Sequence, residues 1–214
     1  MIVDNKSKLA LVTGAGGFVG ANLVIRLLSQ GLNVHCLLRP GHEPWRLKQV
    51  TGLYTAHDID LVEYEKITNL INHLKPQLIF HCATYGAYPT QNIFEQALNT
   101  NVFDTLHFIR SCFIPEVEAI IYTGSSSEYG IKERAPLETE GLEPQSAYAA
   151  TKAAATLLLR YLAQANNAPL CILRLYSVYG PLEEPSRLIP ALLLAGMTKK
   201  WPPMAERSTA RDFI

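Results

Sequence analysis

TGAGGFVG, Thr13 to Gly20, stands directly behind an aliphatic run, Leu9–Thr13, and directly before a helical one, Phe18–Gln30, which Gly31 stops. Its glycines fall at Gly14, Gly17 and Gly20. The first allows a tight turn, the second lets the backbone approach a pyrophosphate, and the third permits close packing of helix on strand. The anion then rests on the helix N-terminus. Glycines in this pattern mean little alone; strand, turn and helix in this order make the segment a dinucleotide-binding turn.

Working outward, short aliphatic runs recur at Val34–Leu38, Leu78–Cys82, Ala119–Thr123 and Leu170–Leu175, with a weaker one at Leu53–Ala56. They are apolar at successive positions rather than alternating, as expected of parallel strands covered on both faces. Helical stretches at Asp60–Leu74, Gln91–Cys112 and Ser146–Ala165 separate them. The alternation predicts an α/β, Rossmann-type doubly wound parallel sheet with helices on both faces and ligands at the carboxyl ends of the strands. At 214 residues the chain reads as one domain, 1–214.

Composition narrows the partners. Lys and Arg number 19 and so do Asp and Glu, so the net charge is zero and gives no electrostatic footprint for nucleic acid or a membrane surface. No run approaches the roughly 20 apolar residues of a membrane span, and MIVDNKSK lacks the apolar heart of a signal peptide. Cys36, Cys82, Cys112 and Cys171 are widely spaced and read as reduced, buried thiols, which implies a cytoplasmic location. The six histidines show no metal-ligand spacing; no metal is expected, and His81 and His107 read as packing or surface groups.

After the second strand, where a carboxylate would bond the ribose hydroxyls of NAD, stands Arg39. It is either a solvated surface residue or the partner of a 2′-phosphate, and the second reading favours NADP over NAD. Asp58 is placed either to accept from the adenine amine or to cap a helix. Tyr148 and Lys152, in YAATK, lie four apart and so project from one helix face. A free tyrosine titrates near ~10; a neighbouring ammonium stabilises the phenolate and lets the phenol exchange a proton near neutral pH. Ser125, in IIYTGSSSEYG, ends the fifth strand at the edge where such folds gather ligands and is suited to orient a substrate oxygen. Tyr85 and Tyr88, in the loop after the fourth strand, and Leu188–Pro190 on the other side are candidates to line the same pocket.

TGAGGFVG, HCA at His81–Ala83, NTNVFDT around Asn101, TGSSSEYG, YAATK and LRLYSVYGP at Leu173–Pro181 together resemble the extended short-chain dehydrogenase/reductase superfamily, in its NAD(P)-dependent epimerase/dehydratase family. The resemblance runs nearly from end to end. It implies an enzyme that passes a hydride at a nucleotide-linked sugar, with Ser125, Tyr148 and Lys152 catalytic and Asn101 supporting the active-site helix and a proton-relay water. It implies cofactor contacts from Phe18, Val19, Ile59, Ala83 and Tyr176 beside those of Gly14, Gly17, Gly20, Arg39, Asp58, Tyr148 and Lys152. It also allows a homodimer through a four-helix bundle built from Gln91–Cys112 and Ser146–Ala165.

Departures from the family pattern narrow the activity. The 4,6-dehydratases carry an Asp–Glu pair where this chain has Ser126 and Ser127, and Glu128, one position on, points to the other face of an extended segment. Dehydration is disfavoured, leaving a 4-ketoreductase or an epimerase, with Arg39 tipping the choice towards reduction by NADPH. Ser177 stands where the family often has an asparagine facing the nucleotide diphosphate. The chain stops at RDFI, Arg211–Ile214, where relatives continue, so 176–214 reads as the start of an incomplete substrate-binding region, largely missing. The alternative is therefore a truncated dinucleotide-binding module without turnover.

Overall fold

In the computed structural model, residues 7–88, 90–202 and 212–214 are described. Most of MIVDNKSK and residues 203–211, Arg211 of RDFI included, lie outside them. Six strands, β1 Leu9–Thr13, β2 Asn33–Leu38, β3 Thr55–Asp58, β4 Leu78–His81, β5 Ala119–Ser125 and β6 Leu170–Leu175, form one sheet in the order β3-β2-β1-β4-β5-β6. Every pairing is parallel. The strand order reverses between β1 and β4, and their carboxyl ends flank the crevice in which folds of this kind bind ligands.

Alternation along each strand builds two cores. Ala10, Val12 and Cys36 pack with Ala21, Val24 and Leu27 of helix α1 (Phe18–Ser29) on one face. Leu11, Ile79 and Ile120 pack on the other face with Ile67 and Ile71 of α2 (Tyr64–Leu74), Phe108 and Ile109 further on, and Ala155 and Leu159 of the long helix preceding β6. Each face is dry and aliphatic because no strand in the middle of a parallel sheet meets water.

The edge strands depart from the expected pattern. Cys171 and Leu173 of β6 are exposed and Cys82 is only partly buried, so the reading of all four cysteines as buried holds for Cys36 and Cys112. β3 begins two residues later than expected, because Gly52 (φ +83) turns the chain and leaves Leu53 in solvent. There His35 and His57 share a hydrogen bond of 2.8 Å across β2 and β3. Burial first, and for His35 also the neighbouring ring, lowers both pKa values.

The single helix expected over Gln91–Cys112 is instead three pieces: α3 (Phe94–Leu98), a π-helical segment (Asn99–Asp104) and α4 (Thr105–Ser111). In the middle piece the Thr100 carbonyl accepts from the Thr105 hydroxyl at 3.0 Å. Helix α5 (Ala147–Asn166) is capped by the Ser146 hydroxyl, which accepts from the Ala149 amide. Helix α6 (Leu188–Thr198) takes up Leu188–Pro190, which stand apart from the crevice wall.

Candidate active site

The carboxyl ends of the strands open on a cleft of about 1580 Å³. Gly14, Gly17, Phe18, Val19 and Gly20 line it from the β1–α1 turn, Arg39 and Ile59 from beyond β2 and β3, and Ala83, Tyr85 and Tyr88 from the loop after β4. Ser125, Tyr148, Lys152 and Tyr176 complete the wall. Two predicted site residues are elsewhere. Asp58 is exposed at the end of β3, outside the wall, where Ile59 and Asp60 stand instead, and Asn101 is buried behind it.

Gly14 and Gly20 explain the tightness of the turn. Gly14 has φ +64, and a Cβ there would stand 2.5 Å from the Ala83 nitrogen; one on Gly20 would stand 2.2 Å from the Gly14 carbonyl oxygen. Helix α1, the turn and the loop after β4 are therefore in backbone contact, a spacing no side chain permits. Gly20→Ala is expected to lower unfolding stability by about 2 kcal/mol in urea denaturation, since α1 has to move off the sheet to admit a methyl group; an unchanged midpoint would refute the contact.

At the far end of the cleft, Lys152 is 1% exposed and its Nζ donates to the Thr123 carbonyl at 2.6 Å, 4.3 Å from the centre of the Tyr122 ring. Burial lowers its pKa to about 8, with Glu128 opposing. Burial raises the Tyr148 phenol above its ordinary value, while the Ser125 and Thr84 hydroxyls against it and the charge of Arg187 pull it back. The four-residue spacing thus brings the Tyr148 and Lys152 side chains to the same wall of the cleft.

Asn101 acts as a brace. Its Oδ1 accepts from the Tyr85 amide (2.8 Å) and the Thr84 hydroxyl (3.0 Å), and its Nδ2 donates to the Tyr85 carbonyl (2.8 Å) and the Thr151 hydroxyl (3.0 Å). One side chain, with both ends saturated, joins the loop after β4 to α5 one turn from Tyr148. Its position in the π-helical segment aims it there, a geometry no sequence periodicity announces.

A second buried chain went unread in the sequence. The Ala83 amide donates to the Thr13 hydroxyl (3.3 Å), which meets His81 Nδ1 at 2.7 Å, and His81 Nε2 meets the Thr105 hydroxyl at 2.9 Å. Because Thr105 donates onward to Thr100, the proton sits on Nε2 and a neutral ring satisfies every link. Burial, and secondarily Lys152, lowers the His81 pKa to about 3.

Glu128 is spent on structure. It is fully buried, its Oε1 accepts from the Ser125 amide at 2.7 Å, and its Oε2 pairs with Arg174 Nε at 3.0 Å. Ser125 returns the bond by accepting from the Ser127 amide, closing a capping box. The S-x-x-E spacing was the legible signal for it. Ser126 and Ser127 line the cleft.

Known proteins place this arrangement. The profile of the NAD dependent epimerase/dehydratase family matches residues 10–214. UDP-glucose 4-epimerase of Mycolicibacterium smegmatis is 28% identical over 221 residues, covering 95% of this chain and 68% of its own length. UDP-N-acetylglucosamine 4-epimerase from Methanobrevibacter ruminantium M1, solved with UDP-N-acetylmuramic acid, superposes with a TM-score of 0.86 at 24% identity, over 98% of this chain and 69% of that one. MoeE5, solved with UDP-glucose and NAD, does so with a TM-score of 0.72 at 31% identity, over 87% and 60%. The chain thus spans between about half and two thirds of the length of such relatives. No described helix is long and apolar enough to cross a membrane. With its glycine turn, its switch-point cleft and a family profile matched over residues 10–214, the chain belongs to the NAD-dependent epimerase/dehydratase family.

Proposed function

We propose that the chain works with a nicotinamide dinucleotide on a nucleotide-linked sugar, as a 4-ketoreductase or 4-epimerase. The observation that carries this is the placing of Tyr148, Lys152 and Ser125 on one wall of the cleft whose other end is the glycine turn. The residues fit the dinucleotide: Gly14, Gly17 and Gly20 line the cleft in a tight turn at the start of α1, and the cleft is larger than the ~1,000 Å³ of a large small-molecule site. When bound, the nicotinamide supplies the hydride donor or acceptor. Tyr148 exchanges the proton of the sugar hydroxyl, Lys152 stabilises the phenolate by its charge, and Ser125 orients the sugar oxygen. The Asn101 side chain has no capacity left for a relay water, so such a water would meet main-chain atoms of the π-helical segment.

Glu128 supports hydride transfer without dehydration, because both of its oxygens are engaged and it cannot face a sugar. Arg39, exposed on the cleft wall beyond β2, supports NADP over NAD and hence net reduction. A cytoplasmic site of action accords with three cysteines kept as thiols inside or partly inside the fold. Exposed Phe103, Leu157, Leu158 and Tyr161, on the π-helical segment and α5, support the pairing of two chains through these helices. The domain is read as single, with 176–214 opening a substrate-binding region.

Fluorescence titration with NADPH and NADH tests the cofactor reading. NADPH is expected to bind about tenfold more tightly than NADH, and Arg39→Asp to abolish that preference by replacing a 2′-phosphate partner with a repelling carboxylate. Equal binding of the two dinucleotides by the wild-type chain would sink NADP preference, and with it the case for reduction.

A further inference from the structure

The loop after β6 has one anchor that no family signature announces. Arg46 belongs to a short 3-10 turn, Trp45–Val50, and is 7% exposed, its guanidinium 4.3 Å from the centre of the Trp45 ring. Its Nη1 donates to the Gly16 carbonyl at 3.3 Å, inside the glycine turn. Its Nε donates to the Leu182 carbonyl at 2.8 Å, and its Nη2 pairs with Glu184 at 2.7 Å. One planar fork thereby joins three segments distant in sequence, which an ammonium's point charge could not do with the same geometry.

The loop it holds is not at rest by itself. Leu182 sits in left-handed backbone (φ +68), disfavoured for a residue with a side chain, and it is the Leu182 carbonyl that Arg46 grips. Asn22 of α1 adds a bond to the neighbouring Pro181 carbonyl at 2.9 Å. Further along, Glu183 and Arg187 line the cleft, and the Arg187 guanidinium lies 5.8 Å from the centre of the Tyr88 ring. The two ends of the cleft, glycine turn and tyrosine wall, are thus bridged by a loop whose near end hangs on Arg46.

We infer that Arg46, with Glu184, is a latch that holds the 181–187 loop across the cleft, so that it governs the release of a bound dinucleotide. The inference rests on the cofactor reading above. Arg46 is a positioning residue in it, since each of its three guanidinium nitrogens already donates to the Gly16 carbonyl, the Leu182 carbonyl or Glu184. Opening the latch frees the loop to swing away, which speeds departure far more than it alters arrival.

NADPH and NADH serve as probes in stopped-flow displacement from the wild-type chain, Arg46→Met and Glu184→Gln. Arg46→Met keeps an apolar stem and removes all three hydrogen bonds. Glu184→Gln changes a side chain 40% exposed and leaves folding intact if the first variant does not fold. Dissociation is expected to rise about tenfold in Arg46→Met and several-fold in Glu184→Gln, with association unchanged within about twofold and the double variant no faster than Arg46→Met alone. A lowered melting temperature with unchanged release in both variants makes Arg46 a brace of the fold and overturns the latch. A wild-type chain that binds neither dinucleotide overturns the cofactor reading and the latch together.

Discussion

Tyr148→Phe is expected to cut turnover about a thousandfold while dinucleotide affinity stays within about twofold of wild type. In the proposed reaction the phenol both takes and returns the proton, and phenylalanine keeps the ring while deleting the hydroxyl. Its polar neighbours are engaged elsewhere. Lys152 is drawn back to the Thr123 carbonyl, Glu128 is locked between the Ser125 amide and Arg174, and Ser125 itself accepts from Ser127. The measurement is conversion of UDP-glucose and UDP-4-keto sugars with NADPH or NAD, beside a dinucleotide titration of both proteins. If the two proteins match in every respect, no proton passes through Tyr148 and the chain is a binding module.

The dependence on pH follows from the same wall. Burial lifts the phenol, whereas its hydroxyl neighbours and Arg187 lower it. A phenol on that wall acts as a base only with a cation nearby, and Lys152 supplies one while its own pKa, lowered to about 8, leaves it charged near neutrality. Turnover in the oxidative direction is therefore expected to fall as pH drops and the phenol holds its proton more firmly.

How much of this was legible divides along physical lines. The sheet was, because its strands are continuous aliphatic runs, and the buried β1 and the half-exposed edge strand β6 both begin and end where those runs do. So was the cluster of Gly14, Gly17, Gly20, Tyr148 and Lys152, since turn chemistry and i,i+4 spacing are local properties. Asp58 ends β3 rather than following it, because the strand is shifted by two residues along an edge whose exposed face breaks the apolar run. Asn101 was found without its partners. The π-helical segment that aims it at Thr84, Tyr85 and Thr151 comes from packing between α3, α4 and α5, and a 3.6-residue pattern carries no trace of it. Arg46 and Glu184 lie 138 residues apart, and no local rule joins them.

His81 shows what a residue can do once the fold has surrounded it, and it yields the second large effect. Read as a packing group, it is one, but its ring is also the central link between the Thr13 and Thr105 hydroxyls, in a form that only a neutral imidazole satisfies. Its folded pKa of about 3 lies below the ordinary 6.5, so the unfolded chain takes up the proton first. Stability from this group is therefore complete above pH 6.5 and is lost as pH falls towards 3. The loss runs at about 1.4 kcal/mol per pH unit, or roughly 3 kcal/mol by pH 4.5. His35 and His57, whose pKa values are also lowered, act in the same direction over the upper part of that range. Urea denaturation of the wild-type chain at pH 7 and pH 4.5, set beside His81→Gln, measures it. The variant starts less stable, since it breaks the relay, but loses less on acidification. Equal acid sensitivity in the two proteins would show that His81 carries its proton in the folded state, and the directional chain from Ala83 to Thr100 would then have to be redrawn with Thr13 as an acceptor.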